Sequence, residues 1–322
     1  MRRVIGAGVL LLTGTLTMAA TTRQPLSQLP VLATIAVPPG PGWLGVGFGS
    51  VWLSKSDNHL LLRIDPATNA VVAQIPVGPD PELGIGFGLG SVWIADTTER
   101  SLRRIDPATN QVVRSFAVNV SKEPEGSIGV GAGSLWLLTN DNGTDSGTLS
   151  RLDPATGKVI AAIAVKPKSY AVVVVGDSVW VSNSADASVQ RVDVGRNQVI
   201  AEVPVHSSPR FLAGDVRGIW VLSQGDGVLT RIDPATNRVS ATIPLGFPGP
   251  GGDLWIDDGI VWASAEGAPI SMIDPTSNVL IKQFIGGKRM DTLRAGFGAV
   301  WVVEEATGKI WKVSIEKLKG PL

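Results

Sequence analysis

The heptapeptide RIDPATN occupies residues 63–69, returns letter for letter at 104–110, and stands a third time at 231–237. A catalytic motif is needed once, so a heptapeptide spelled three times reports architecture first. Its Asp carboxylate can accept hydrogen bonds from backbone N–H groups two or three residues on, and Pro sets φ for the first turn position. The residue four after the Asp must then close the turn in a left-handed conformation. It is Asn69, Asn110, Gly157, Asn197, Asn237 or Asn278, the types that tolerate that geometry. The motif is a turn between two strands, and its aspartates are structural.

Working outward, an apolar residue followed by tryptophan recurs at Trp52, Trp93, Trp136, Trp180, Trp220, Trp262 and Trp301, with separations of 41, 43, 44, 40, 42 and 39 residues. Seven units therefore tile the chain. Each runs in constant order: a glycine-rich apolar run such as LGIGFGLG, an alternating run such as SVWIAD, a strand ending in RIDPATN, then a run such as VVRSFAVN. Short β-branched runs bounded by turn residues read as four antiparallel strands joined by hairpins, and no segment keeps a helical period. Four strands per forty residues predict an all-β, seven-bladed β-propeller. The RIDPATN turn then joins the third and fourth strands of a blade. Arg63, Arg104, Arg151, Arg191 and Arg231 share a strand face with the Asp, which predicts paired structural groups at the seams between blades.

Closure follows from what is missing. After Trp301 a third strand, KIWKVSIE, is followed by no fourth, whereas VLATIAVP at 31–38 closely matches VSATIPLG. The N-terminal strand is expected to complete the last blade. The domain reading is a signal peptide over 1–20, a linker over 21–30, the propeller over 31–315 and a C-terminal tail over 316–322.

The first twenty residues carry Arg2 and Arg3, an apolar run from Val4 to Leu16, and small or neutral residues at Thr17–Ala20. The pattern is that of a cleaved export signal, with an uncleaved anchor as the alternative, since the run is shorter than the roughly 18 residues that span a bilayer. A periplasmic or secreted location is expected, with no membrane span after cleavage. Removal takes away two of the 28 basic residues and none of the 28 acidic ones, which disfavours a nucleic-acid partner. The absence of cysteine excludes disulfides, thiolate metal sites and a lipidated-cysteine anchor.

Units such as SVWVSNS and RIDPATNRVSATIPLG resemble the YVTN-type repeats of YncE-like propellers, and also the blades of streptogramin (virginiamycin B) lyases, from about residue 31 to 315. The lyase resemblance implies a histidine acid or base and carboxylates near Mg²⁺. This chain has only His59 and His206, four blades apart and in no matching motif.

In propellers the fourth-to-first and second-to-third strand loops gather at one mouth of the channel. Those positions give Glu82, Asp96, Glu125, Tyr170, Asn183, Arg210, Asp253, Glu266, Asp291 and Glu304 as candidate ligand-binding residues. At the same register stand Lys55, Thr139, Ser223 and Ala265, with Glu305 adjacent to Glu304. These positions break the repeat, as one asymmetric site requires and as solvated loop ends also allow. Trp43 and Trp255, outside the tryptophan register, are either stacking platforms or packing. The glycine-rich runs recur as strand material and are no phosphate loop. NDNGTDSG, with Asp141, Asn142 and Asp145, has alternate oxygen donors but lacks the terminal Glu of a calcium loop.

Two readings result. The first is an exported, monomeric, non-enzymatic propeller, without cofactor, that presents its channel mouth to a protein, peptide or small ligand. The second is a Mg²⁺-dependent streptogramin B lyase-like enzyme, using carboxylates such as Glu266, Glu304 and Asp291.

Overall fold

A computed structural model describes residues 22–40, 42–81, 84–121, 128–140, 147–290 and 292–320. The proposed signal and the 141–146 stretch lie outside them. The described residues form seven antiparallel blades of four strands each. Blade one runs Leu44–Gly47, Ser50–Lys55, Leu60–Asp65 and Ala70–Pro76, and blade six runs Asp253–Asp257, Ile260–Ala265, Ala268–Asp274 and Val279–Ile285. First strands touch in sequence all the way round, and Leu293–Gly296 of blade seven returns to Leu44–Gly47. The ring closes as expected: Val31–Ala36 pairs antiparallel with Lys309–Ser314 and supplies the missing fourth strand.

The seven register tryptophans are at most 2 % exposed. A buried indole N–H needs an acceptor, and in five blades it finds the carbonyl five residues back, as in Trp52 to Gly47 (2.9 Å) and Trp301 to Gly296 (3.1 Å). One indole face is covered by the cation paired across the strand. Arg63, Arg151 and Arg191 stand 5.1–5.2 Å from the rings of Trp52, Trp136 and Trp180, and Lys312 5.2 Å from Trp301.

Those cations also stitch each blade to the next turn. Arg63 Nη1 donates to Asn110 Oδ1, Arg151 to Asn197, Arg191 to Asn237, Arg231 to Asn278, and Lys312 Nζ to Asn69, all at 2.7–3.0 Å. The recipients have φ between 53° and 59°, and in the turns the Asp accepts from the N–H two residues on, as Asp65 does from Ala67 at 2.7 Å. Both sequence expectations hold. Two blades differ: in blade three, next after Arg104 of blade two, the turn is closed by Gly157, which has no side-chain oxygen, and blade six carries Met272 at the cation position, where blade seven, closed by a distant strand, has no third-to-fourth turn.

The glycine-rich first strands are explained by lateral packing. A Cβ on Gly45 or Gly47 would collide with the Phe87 ring, and on Gly86 or Gly88 with Val130. In blades seven, one, two and three the next first strand thus leans an apolar side chain onto such glycines, and backbones come close there.

Every fourth strand carries one bulged residue, at Leu32, Val72, Val113, Ile160, Ile200, Ser240 and Ile281. A bulge disrupts the outer edge against further pairing. On blade six the edge beyond the bulge is nonetheless covered: Thr22–Pro25, within the stretch read as a linker, runs parallel to Val279–Ile285 from Thr22–Lys282 to Pro25–Ile285. Arg23 Nε anchors it on Gln283 Oε1 at 3.0 Å. At the other terminus Ile315–Lys319 is a short helix, capped by Ser314 Oγ and seated by buried Ile315 and Leu318. Among the described residues no helix is long and apolar enough to cross a membrane.

Candidate functional site

The mouth loops hold their residues for two distinct purposes. The position three beyond each register tryptophan ends the second strand, where a side chain turns under the loops. Asp96 is fully buried there. It accepts from Asp80 N–H (3.1 Å) and Glu99 N–H (2.6 Å) and pairs with Arg103 at 3.4 Å. Asn183 accepts from Ser169 Oγ (2.8 Å) and donates to Ser188 Oγ (3.1 Å). Thr139 shares a 2.8 Å bond with Ser150, and buried Lys55 donates to the Gly40 carbonyl. Burial lowers the Lys55 pKa, against the pull of Glu305 and Asp57. These groups tie one mouth loop to another. Their variety reflects different local partners.

The acidic side chains of blades six and seven are also engaged. Glu266 accepts from Arg289 N–H at 3.1 Å, Glu305 from Arg289 Nη2 at 2.9 Å, and Glu304 from Thr307 Oγ1 (2.6 Å) and Trp311 Nε1 (3.2 Å). Among the described residues no three His, Asp or Glu side chains converge. Glu266 and Glu304 are each held by their own loop donors. Glu82, Glu125 and Asp291 lie outside the described residues, as do Asp141, Asn142 and Asp145.

The other mouth residues form a surface. Arg210, at the start of blade five, lies 4.3 Å over the Tyr170 ring of blade four and donates Nη1 to Tyr170 Oη at 3.0 Å. Phe211 stands edge-on to Tyr170 at 6.2 Å. Trp43 completes the group from the opposite side of the ring. Its backbone is tied to Ser54 of blade one, whereas its indole lies 5.9 Å from Phe211 and packs on the core of blades five and six. Blades one and five are not neighbours, so the indole crosses the axis and floors the mouth. Arg210 has no carboxylate partner among the described residues.

Asp253 belongs to the channel wall. It is 2 % exposed, pairs with Arg294 and accepts from Leu254 N–H (2.8 Å) and Leu293 N–H (3.2 Å). Burial pushes its carboxyl above the usual range, against the opposing pull of Arg294. The histidines stay apart: His59 Nδ1 contacts the Pro79 carbonyl at 2.9 Å, and His206 Nδ1 lies 3.3 Å from Asp226 Oδ2. Phe211 and Arg294 were not among the residues singled out from sequence. Arg294 is visible there as a charge at a register where every other first strand carries an uncharged residue, glycine in three of them.

No family model matches the chain, and no curated protein sequence matches it. Solved structures do resemble it. Virginiamycin B lyase from Staphylococcus aureus superposes with a TM-score of 0.71 at 14% identity, covering 88% of this chain and 98% of that one. A streptogramin B lyase structure gives 0.70 at 14% identity, covering 89% and 96%. A catalytically inactive variant of the S. aureus enzyme with quinupristin gives 0.70 at 14% identity. At this identity the likeness establishes the propeller fold. The YVTN-type, YncE-like assignment gains no support from family models or curated sequences.

Proposed function

We propose that the protein is an exported binding propeller whose channel mouth receives a peptide or small ligand on the surface formed by Trp43, Tyr170, Arg210 and Phe211. The observation that carries this reading is Arg210, a cation held on an aromatic face with no carboxylate partner among the described residues. Such a group offers donors to a ligand acceptor, while the rings offer apolar area at small entropic cost. Export is inferred from residues 1–20, whose charged start and short apolar run suit a signal peptide.

The test is a fluorescence titration with N-acetylated aromatic amino acids. Saturable binding is expected, with affinity about tenfold lower in Arg210→Gln, the loss of roughly one charge-assisted hydrogen bond, and with thermal stability unchanged. If no probe binds, or if the variant unfolds instead, the cluster belongs to the scaffold.

The lyase reading rests on the likeness to the streptogramin lyase structures. Against it stand the separated histidines and the engaged carboxylates Glu266 and Glu304. Loss of intact streptogramin B, measured with and without EDTA, decides the matter: metal-dependent opening of the substrate would replace the binding reading with an enzymatic one.

A further inference from the structure

The first-strand residue opposite each register tryptophan is Gly45, Gly86, Gly129, Val173 and Ala213 in blades one to five, but Trp255 in blade six and Arg294 in blade seven. Five positions are kept small and two adjacent ones are large. The two large groups touch, with the Arg294 guanidinium 4.7 Å from the Trp255 ring. Together with Asp253 they form the only polar side chains on the wall of a central cavity of about 310 Å³ among its described lining residues.

The Arg294 guanidinium is only partly used by the scaffold. Nη1 alone serves the fold, donating to Asp253 and, at 2.6 Å, to the Leu293 carbonyl. The Nε and Nη2 donors have no partner among the described residues, and the side chain is 13% exposed on the cavity wall. A guanidinium with its Nε–Nη2 edge free is a bidentate donor site for a carboxylate, and leaving those donors dry and unpaired is costly. The rest of the wall is aliphatic and aromatic: Val46, Phe87, Val172, Leu212 and Ile256 line it.

The opposite rim adds a second observation. At the first-to-second strand hairpins of blades seven, one and two stand Phe297, Phe48 and Leu89, 39–47% exposed, with φ of 57°, 50° and 53°. Bulky residues rarely adopt the left-handed region, where Gly, Asn or Asp is favoured, as Asp258 is in blade six. Three exposed apolar groups, held at a conformational cost on adjacent blades, give an apolar approach to the channel on the face away from Trp43.

We infer that the channel binds a small monocarboxylic acid with an apolar body, its carboxylate on the Nε–Nη2 edge of Arg294 and its chain against the aliphatic wall. The volume lies at the lower end of small-ligand sites, which run from about 300 to 1,000 Å³. The site adjoins the mouth cluster, because Phe211 also lines the cavity, but its charged group is Arg294 rather than Arg210, so the two readings are tested by different substitutions.

The experiment is calorimetric titration of the full chain with octanoate and with octanamide, which has the same body and no charge. Octanoate should saturate one site and bind at least tenfold more tightly than octanamide. Arg294→Lys, which keeps the charge beside Asp253 and loses the fork, should weaken octanoate about tenfold at unchanged melting temperature. Leu212→Trp, which fills the cavity without touching the ion pair, should abolish binding. Failure of octanoate to saturate, equal binding of acid and amide, or octanoate binding unaltered by both variants would overturn the assignment. The acid–amide comparison needs no variant to fold.

Discussion

Arg63 Nη1 donates to Asn110 Oδ1 at 2.7 Å, so the third strand of one blade is fastened to the left-handed turn residue of the next. The same bond recurs at four further seams, the last of them between Lys312 of blade seven and Asn69 of blade one. Asn is doubly suited to the position. It accepts the left-handed backbone and supplies the oxygen that the neighbouring cation seeks.

These two roles separate by substitution. Asn110→Gly keeps the backbone permitted and removes the acceptor, at roughly 1.5–3 kcal/mol for a hydrogen bond to a charged group. Asn110→Ala should cost about 1 kcal/mol more, because a Cβ is disfavoured at positive φ. Denaturant unfolding of the pair measures the difference; equal losses would mean that turn geometry contributes nothing.

Removing an indole wedge should cost more. Trp180 is fully buried and carries Arg191 on its face, so Trp180→Ala is expected to lose about 3–5 kcal/mol. A loss below about 1 kcal/mol, read from the same unfolding curves, would show that the neighbouring blades collapse into the gap.

The turns also set the response to acid. Backbone N–H donors lower the pKa values of Asp65, Asp106 and Asp233, and the combined backbone and side-chain donors of Thr156 and Ser277 lower those of Asp153 and Asp274. With the folded pKa below the unfolded one, each turn adds stability that is complete above about pH 4 and is lost as pH falls through the depressed folded value. Asp233→Asn keeps an acceptor but cannot titrate. Its melting temperature should fall less steeply between about pH 4 and pH 2 than that of the parent protein.

Deleting residues 22–36 should expose the third strand of blade seven and the outer edge of blade six together. Unpaired edges recruit other chains, so the truncated protein is expected to elute as aggregate in size-exclusion chromatography. A monodisperse product would count against ring closure by the N-terminal strand.

Trp43→Ala should open the floor of the mouth. The variant loses the contact with Phe211 across the axis, and binding of aromatic probes there should weaken about tenfold while octanoate binding in the channel is retained. Loss of both together would join the two sites into one.

Much of this was legible because repetition exposes geometry. Tryptophan spacing, the Asp–Pro turns and the absent fourth strand after Trp301 follow from local periodicity, and all are found in the fold. The strand at Thr22–Pro25 was not legible, since four residues carry no period and their place depends on Gln283, some 260 positions away. Among the mouth residues, Asp96 and Asn183 differ between blades as a binding site would, yet each is consumed by its own loops. Variation along a sequence does not distinguish a ligand from a neighbouring backbone.

By itself, then, the order of residues determined the number of blades, the turn chemistry and the manner of closure, because these depend on contacts within forty residues and on one long-range match. Only the closed ring decided which side chains face one another across its axis. Trp43 meets Phe211 from a non-adjacent blade, and Arg294 comes to lie beside Trp255 on the wall of an apolar channel, its Nε and Nη2 without partners among the described residues. Such meetings are set by the radius at which seven sheets pack face to face, a length that no single repeat contains.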